Sequence, residues 1–351
     1  MAETVWRFGT QTEKIWNEMI ADIKTAQNTI EIEQYSFWDD ESGHKVLLAL
    51  EAKAKQGVKI RIICDGYGSY PLFASGYVKK LQKIMQILPY NMPQFSKPKL
   101  WMRRLHKKTM IVDSKVAWVG GIGIKNKFIN FRDTQVRLEG EVVTSIQQVF
   151  ENFWQSVKEN YKSLDLVNQN NSEFKFLVNY PGYNQKQIYE WLRSEISRAK
   201  KRIYLTTSYF FPDQNFFQLI LDKAKAGVDV KLIVRGKDDE HVPIRFSASY
   251  FLPALKNHIE LYKYEHCIIH AKTAVIDDAA TVGSCNLDKF SFYYNLESNI
   301  ATSNPKFVEE VANQFFADLK HCSQIYINEW EKRPLKERAY EVITWPLHNY
   351  L

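Results

Sequence analysis

His106 and Lys108 stand two residues apart, and so do His270 and Lys272. Each pair opens the same pattern, H-x-K-x-x-x-x-D, which closes on Asp113 in one copy and on Asp277 in the other. The chain holds only 8 histidines in 351 residues, so two such patterns are not chance repeats. The chemistry open to these groups is phosphodiester cleavage. Two lysines can offset the charge that spreads over the equatorial oxygens of a phosphoryl transition state. One imidazole can attack phosphorus and form a phosphohistidine. The other can protonate the leaving alkoxide and then deprotonate the incoming alcohol or water. This chemistry needs no metal and no cofactor, and none is expected.

On an extended segment, an offset of two sends the histidine and lysine to one face. The aspartates lie seven residues on, an odd offset that turns them to the other face. The candidate catalytic set is therefore His106, Lys108, Asp113, His270, Lys272 and Asp277, with the two aspartates holding local backbone and not attacking. Other groups must orient the rings and bias their charge. Asp133 lies 133 − 106 = 27 residues past the first histidine, and Glu297 lies 297 − 270 = 27 past the second. The matched offsets predict that each carboxylate accepts a hydrogen bond from its own histidine. After the second motif, Asn286 in Gly283-Ser-Cys-Asn286 is placed to donate an amide N–H to a phosphate oxygen, with Ser284 assisting. The equivalent first-half turn offers Gly123 and no side chain, so backbone N–H groups are expected to serve there. Cys285, inside the second turn, is read as a small buried filler.

The elements that must carry these residues repeat as well. Ile30–Phe37 and Ala54–Ile63 precede the first motif as Ile203–Phe210 and Ala224–Ile233 precede the second, the histidines being 270 − 106 = 164 residues apart. A repeat this long is a duplicated domain. We expect an N-terminal domain over 1–165 and a C-terminal domain over 172–351, joined at the polar break near 162–174. β-branched runs predict strands at Ile30–Tyr35, Lys59–Cys64, Thr109–Val112, Ala117–Gly120 and Thr134–Leu138. They recur at Ile203–Thr207, Asp229–Val234, Thr273–Ile276, Ala280–Val282 and Glu297–Ala301. Apolar residues three and four apart predict helices over Trp16–Ala26, Lys45–Lys55, Ile146–Val157, Ile188–Ala199, Phe216–Ala226 and Phe307–Leu319. A further helix packed on the sheet is expected over Tyr77–Leu88. The alternation is that of an α/β fold with covered sheets.

A composition of 45% hydrophobic and 25% charged residues supplies apolar mass for a core. No apolar run approaches the roughly 20 residues that span a bilayer, and the first residues lack a signal-peptide pattern. Four cysteines without ligand spacing point to free thiols in a reducing compartment. The net charge of +7 favours a polyanionic partner, nucleic acid or anionic lipid alike. Within Phe95–Arg104, Trp101 and Met102 interleave with Lys97, Lys99, Arg103 and Arg104, a composition suited to a lipid headgroup interface or to a solvated basic loop.

The paired motifs resemble those of the phospholipase D superfamily, and the resemblance runs from about Ile30 to the C-terminus. Within it, the chain is most similar to the bacterial cardiolipin synthases. Arg104-Leu-His-Lys-Lys108 resembles their R-x-H-R-K, and Arg132–Gly140 their D-T-x-V-x-x-x-G stretch. Ser208–Asp213 resembles Y-F-x-P-D, and Gly283–Asp288 leading to Glu297 resembles G-S-x-N-x-D…S-F…N-x-E. The chain departs at Lys107, where arginine is usual, and at Gly123, where asparagine is usual.

The resemblance implies two similar lobes, each a mixed β-sheet flanked by helices, with one active site at their interface. It implies transfer of a phosphatidyl group from phosphatidylglycerol to a second lipid alcohol, with release of glycerol. It also implies His106 as nucleophile and His270 as acid and base. The membrane helices found at the start of many such synthases are not seen here. The expected setting is therefore cytoplasmic, peripherally bound to anionic phospholipid at the inner face of the cell membrane. Nucleic acid is the disfavoured partner, and a monomer is expected because the duplication completes the site. Two rivals stand beside transfer. One is a phosphodiesterase hydrolysing phospholipid or nucleic acid with the same histidines; the other is a degenerate relative that only binds anionic lipid.

Overall fold

The computed structural model describes residues 4–93, 103–159, 173–181, 184–237 and 241–334. The first lobe runs β1 (Val5–Gln11), α1 (Thr12–Thr25), β2 (Thr29–Gln34), α2 (Glu41–Lys55), β3 (Lys59–Asp65), α3 (Tyr70–Ala74), α4 (Gly76–Leu81) and β4 (Gln86–Tyr90). It continues with β5 (Lys108–Val112), β6 (Val116–Gly120), β7 (Phe131–Glu139) and α5 (Glu141–Lys158). The second lobe opens with β8 (Phe174–Tyr180), β9 (Gln185–Lys186), α6 (Gln187–Arg198), β10 (Arg202–Thr207), β11 (Phe210–Phe211), α7 (Gln214–Lys225) and β12 (Asp229–Arg235). Then come α8 (His241–Lys256), β13 (Glu260–Tyr264), β14 (Ile268–Ile269), β15 (Thr273–Ile276), β16 (Ala279–Gly283) and β17 (Leu287–Asp288). It closes with α9 (Lys289–Tyr293), β18 (Glu297–Thr302), α10 (Pro305–Leu319), β19 (Cys322–Ile325) and α11 (Ile327–Glu331).

The α/β expectation holds, and both lobes have the same central strand arrangement. In the first sheet the order is β1-β7-β6-β5-β2-β3-β4; in the second it is β19-β13-β12-β10-β15-β16-β18-β8-β9. In each, the motif strand lies antiparallel between the first strand of the repeat and the strand that follows the motif. The Gly-Val turns follow from local chemistry. Gly57 and Gly227 end α2 and α7 with φ of +92° and +87°, a conformation that costs glycine little.

The motif aspartates hold this frame, as the odd offset predicts, and they leave the catalytic set. Asp113 accepts from the backbone N–H groups of Gln27, Asn28 and Thr29 at 2.7–2.8 Å, and Asp277 from those of Lys200, Lys201 and Arg202 at 2.8–3.0 Å. Each carboxylate ties the end of the motif strand to the start of its neighbour, away from the histidines.

The helix expected over Tyr77–Leu88 forms only in its first half, as α4. The chain turns after Leu81 and continues as β4, with Ile87 and Tyr90 buried and Ile84 45% exposed. Pro89 is tolerated because β4 is the edge of the sheet. The domain joint near 162–174 lies almost wholly outside the described residues, as does Trp101-Met102 with most of the basic segment before it. β8 already pairs with β18 from Phe174 onward.

The lobes share one apolar cluster. Ile111, Val136, Phe150 and Phe153 of the first lobe join Phe174, Phe176, Ile300 and Phe315 of the second. A core that runs through the interface fixes the two motifs relative to one another. No described helix is long and apolar enough to cross a membrane.

Candidate active site

Two short cross-lobe pairings bring the motifs together. Leu105 bridges Leu296, and the His106 N–H donates to the Leu296 carbonyl at 2.8 Å. In mirror fashion β14 pairs with the start of β7, and the His270 N–H donates to the Arg132 carbonyl at 2.7 Å. Leu296 immediately precedes Glu297, and Arg132 precedes Asp133. Each histidine is thereby laid beside the carboxylate of the opposite lobe. His106 Nδ1 lies 2.9 Å from Glu297 Oε2, and His270 Nδ1 lies 2.6 Å from Asp133 Oδ2. The expectation that each carboxylate serves its own histidine is corrected: the partners are exchanged. An equal offset in both halves is satisfied by either arrangement, so the sequence could not separate them.

With Nδ1 engaged, Nε2 is left for substrate on both rings. Both imidazoles line a cavity of about 430 Å³, together with Lys108 and Asn286. Tyr35 packs edge-on against His106 at 4.9 Å, and Phe128 against His270 at 5.2 Å. Carboxylate and aromatic edge together fix each ring's plane. The lysines fold back alike: Lys108 Nζ donates to the His106 carbonyl at 2.5 Å, and Lys272 Nζ donates to that of His270. Asn286 is buried with its side chain at the cavity, where its amide N–H₂ is the group able to donate to a phosphate oxygen. Ser284 is corrected. It is fully buried and donates at 2.6 Å to Glu297 Oε2, so it braces a carboxylate and does not face phosphate. Cys285 is buried filler, as expected.

The two halves differ electrostatically. Burial pushes the Asp133 carboxyl up to about 6. Burial also works upward on Glu297, but His106 and Lys108 beside it leave that carboxyl below its ordinary value. At the position equivalent to Ser284 stands Gly121, where a Cβ would meet Asp133 Oδ1 at 2.1 Å; only glycine leaves that carboxylate its place. Burial lowers His106, with Glu297 partly offsetting it. His270 is pulled well below the usual imidazole range by burial and then by Lys272, Lys108 and His106. Burial brings Lys108 down to about 7 and Lys272 to about 8.

These lysines predict a pH dependence. Raising the pH through 7 to 8 discharges them in the empty site. A lysine favours an anionic substrate only while protonated, so kcat/KM falls on the alkaline side. A bound phosphodiester anion raises both lysines again, so the alkaline fall in kcat begins at higher pH. A pH–rate profile from 5.5 to 9.5 checks this; a kcat/KM that is flat or rising through 8 contradicts it.

Sequence reasoning overlooked several cavity residues: Tyr35, Arg235, Lys125, Lys127, and the phenyl rings of Phe211, Phe246 and Phe290. Arg235 ends β12, an interior strand, lines the cavity, and donates to Tyr209 OH at 3.1 Å. Its position at a strand end in the repeat was the available signal. Phe246 and Phe290 carried no signal, since phenylalanine on a helix reads first as core.

Comparison with known proteins bears on the family and the fold. A family model described as "Cardiolipin synthase, PLD-like domain" matches residues 19–155 and again 192–319. A cardiolipin synthase of Clostridium perfringens is 31% identical over 94% of this chain and 73% of its own length. Cardiolipin synthase 1 of Bacillus cereus is 29% identical over 96% of this chain and 71% of its own length. A phosphatidylserine synthase crystal structure from Haemophilus influenzae superposes with a TM-score of 0.76 at 12% identity, covering 98% of this chain and 93% of that one, a likeness of fold. The family model falls once on each lobe, and the chain belongs to the phospholipase D-like family of phosphatidyltransferases typified by cardiolipin synthase.

Proposed function

We propose that the protein transfers a phosphatidyl group from phosphatidylglycerol to the hydroxyl of a second phospholipid, through a phosphohistidine. The observation that carries this reading is the convergence of both motif imidazoles on one cavity, each held through Nδ1 by the opposite lobe's carboxylate. A neutral Nε2 attacks phosphorus, the P–N bond forms, and the P–O bond to glycerol breaks as the other histidine gives its proton to the departing oxygen. The second histidine then takes the proton of the acceptor hydroxyl. The new P–O bond forms, and the P–N electron pair returns to the first ring. Lys108, Lys272 and Asn286 hold the phosphoryl oxygens throughout. Both lobes come from one chain, so a monomer suffices. Action on lipid at the inner face of the cell membrane fits the basic charge.

By family resemblance the nucleophile is His106. The electrostatics favour a second order: His270 is the more strongly neutral ring, as an attacker must be, while His106 faces the ionised Glu297, as a proton donor would. Rapid quenching during turnover and mapping of the phosphorylated histidine by mass spectrometry decides between them.

Purified protein incubated in EDTA with phosphatidylglycerol vesicles should give a diphosphatidyl lipid and glycerol. Phosphatidic acid alone would instead mean hydrolysis. Inert lipid with nicked DNA would mean a nuclease, and binding without any product a degenerate relative.

A further inference from the structure

The two lobes correspond residue by residue around the cavity, and the places where they differ show what the cavity holds. The Gly121 N–H donates to Thr134 O at 2.9 Å as the Ser284 N–H donates to Ser298 O at 3.0 Å. Ile124 bridges Phe37 as Leu287 bridges Phe210. In this register Gly123 is the counterpart of Asn286, Lys125 of Asp288, and Lys127 of Phe290. The second lobe thus offers the cavity an amide, a carboxylate and a phenyl ring. The first offers no side chain at 123 and two ammonium groups.

A first-lobe amide is excluded by packing. A Cβ on Gly123 would lie 2.7 Å from Phe128 Cε2, and that ring is already seated against His270. Lys125 Nζ rests on the same platform, 5.3 Å from the Phe128 centroid and 4.7 Å from that of Trp38. Aromatic faces position an ammonium while leaving its charge. In the proposed transfer the scissile phosphate takes its donors from Lys108, Lys272 and Asn286. Arg235 and Lys289 of the second lobe also line the cavity, but Lys125 and Lys127 stand where the register places a carboxylate and a phenyl ring in the second lobe, and these further cations suit a second anion beside the scissile phosphate.

We propose that Lys125, assisted by Lys127, binds the phosphodiester of the acceptor lipid and so selects anionic alcohols over neutral ones. The inference rests on the phosphatidyl-transfer reading and adds the residue that sets acceptor choice. In the second half-reaction the acceptor's hydroxyl oxygen bonds to phosphorus, its proton passes to the general-base histidine, and the P–N bond breaks. Lys125 touches only the acceptor's own phosphate, so it biases which alcohol attacks.

The test partitions one intermediate between two acceptors. Vesicles of phosphatidylglycerol with added 1-butanol should yield both diphosphatidylglycerol and phosphatidylbutanol. Their ratio does not depend on how much enzyme is folded or on how fast the phosphohistidine forms. Lys125→Ala should lower the ratio of anionic-acceptor to butanol product about tenfold, the scale of one charge-assisted contact. Lys125→Arg should keep the ratio near that of the wild type. Raising the salt concentration should lower the ratio in the wild type and much less in Lys125→Ala. An unchanged or raised ratio in Lys125→Ala overturns the assignment, even where total turnover drops. A wild-type protein that forms no phosphatidyl product fails the transfer reading itself, and this inference falls with it.

Discussion

His106→Ala and His270→Ala should each lower turnover by about 10⁴-fold or more, and the double variant should be little worse than either. Residues that act as one unit lose the reaction together. Each ring carries a different step, and neither step proceeds without the other. The loss should not be conformational: each ring contributes one side-chain hydrogen bond, with one aromatic contact for His106 and two for His270, so the melting temperature should change by only a few degrees. The variants should also differ in kind. The one that removes the nucleophile forms no phosphohistidine; the one that removes the acid forms it slowly and releases it slowly. Independent losses that multiply in the double variant would mean that the two histidines do not share a reaction.

Lys107→Met should be the most destabilising single change near the site. Lys107 points to the opposite side from its neighbours and is fully buried, with Nζ 2.5–2.6 Å from the carboxylate oxygens of Glu33 and 2.9 Å from Tyr180 OH. Phe153, Phe176 and Tyr180 surround the ammonium at 5.3–5.7 Å. Burial pushes Glu33 up and Lys107 down, and their attraction partly restores each. Removing the lysine leaves a carboxylate in the shared core, at a cost of about 3–5 kcal/mol. Denaturant unfolding of Lys107→Met, Glu33→Leu and the double variant measures this. The double variant should recover most of the loss, because two apolar groups leave nothing unpaired. Because Tyr180 belongs to the second lobe and Glu33 to the first, the pair also locks the interface next to His106. A double variant as unstable as the sum of the singles would contradict this.

Much of this molecule was legible in its sequence. β-branched runs located the central strands of both lobes, because buried strands must be written in such residues. The odd offset of Asp113 and Asp277 pointed to a supporting role within the candidate catalytic set, and their backbone contacts take them out of that set. The misses have physical causes. β1 is a half-exposed edge strand with a weak pattern. The helix drawn over Tyr77–Leu88 followed an apolar spacing that fits a helix turn followed by a strand equally well. The exchange of Asp133 and Glu297 between lobes was invisible because duplication makes self and exchanged pairing identical in sequence. Ser284 was assigned to phosphate because nothing local indicates that a longer carboxylate, Glu297, reaches back to claim it.

In the proposed reaction two imidazoles from two lobes grip one phosphorus atom from opposite sides. Vanadate mimics the five-coordinate phosphoryl group, and a crystal structure of its complex tests the claim most directly. The expected result is vanadium bonded to Nε2 of one motif histidine, with Nε2 of the other in hydrogen-bond reach of the opposite apical oxygen. Vanadate held by a single histidine with the second ring turned away, or bound elsewhere in the cavity, would contradict it.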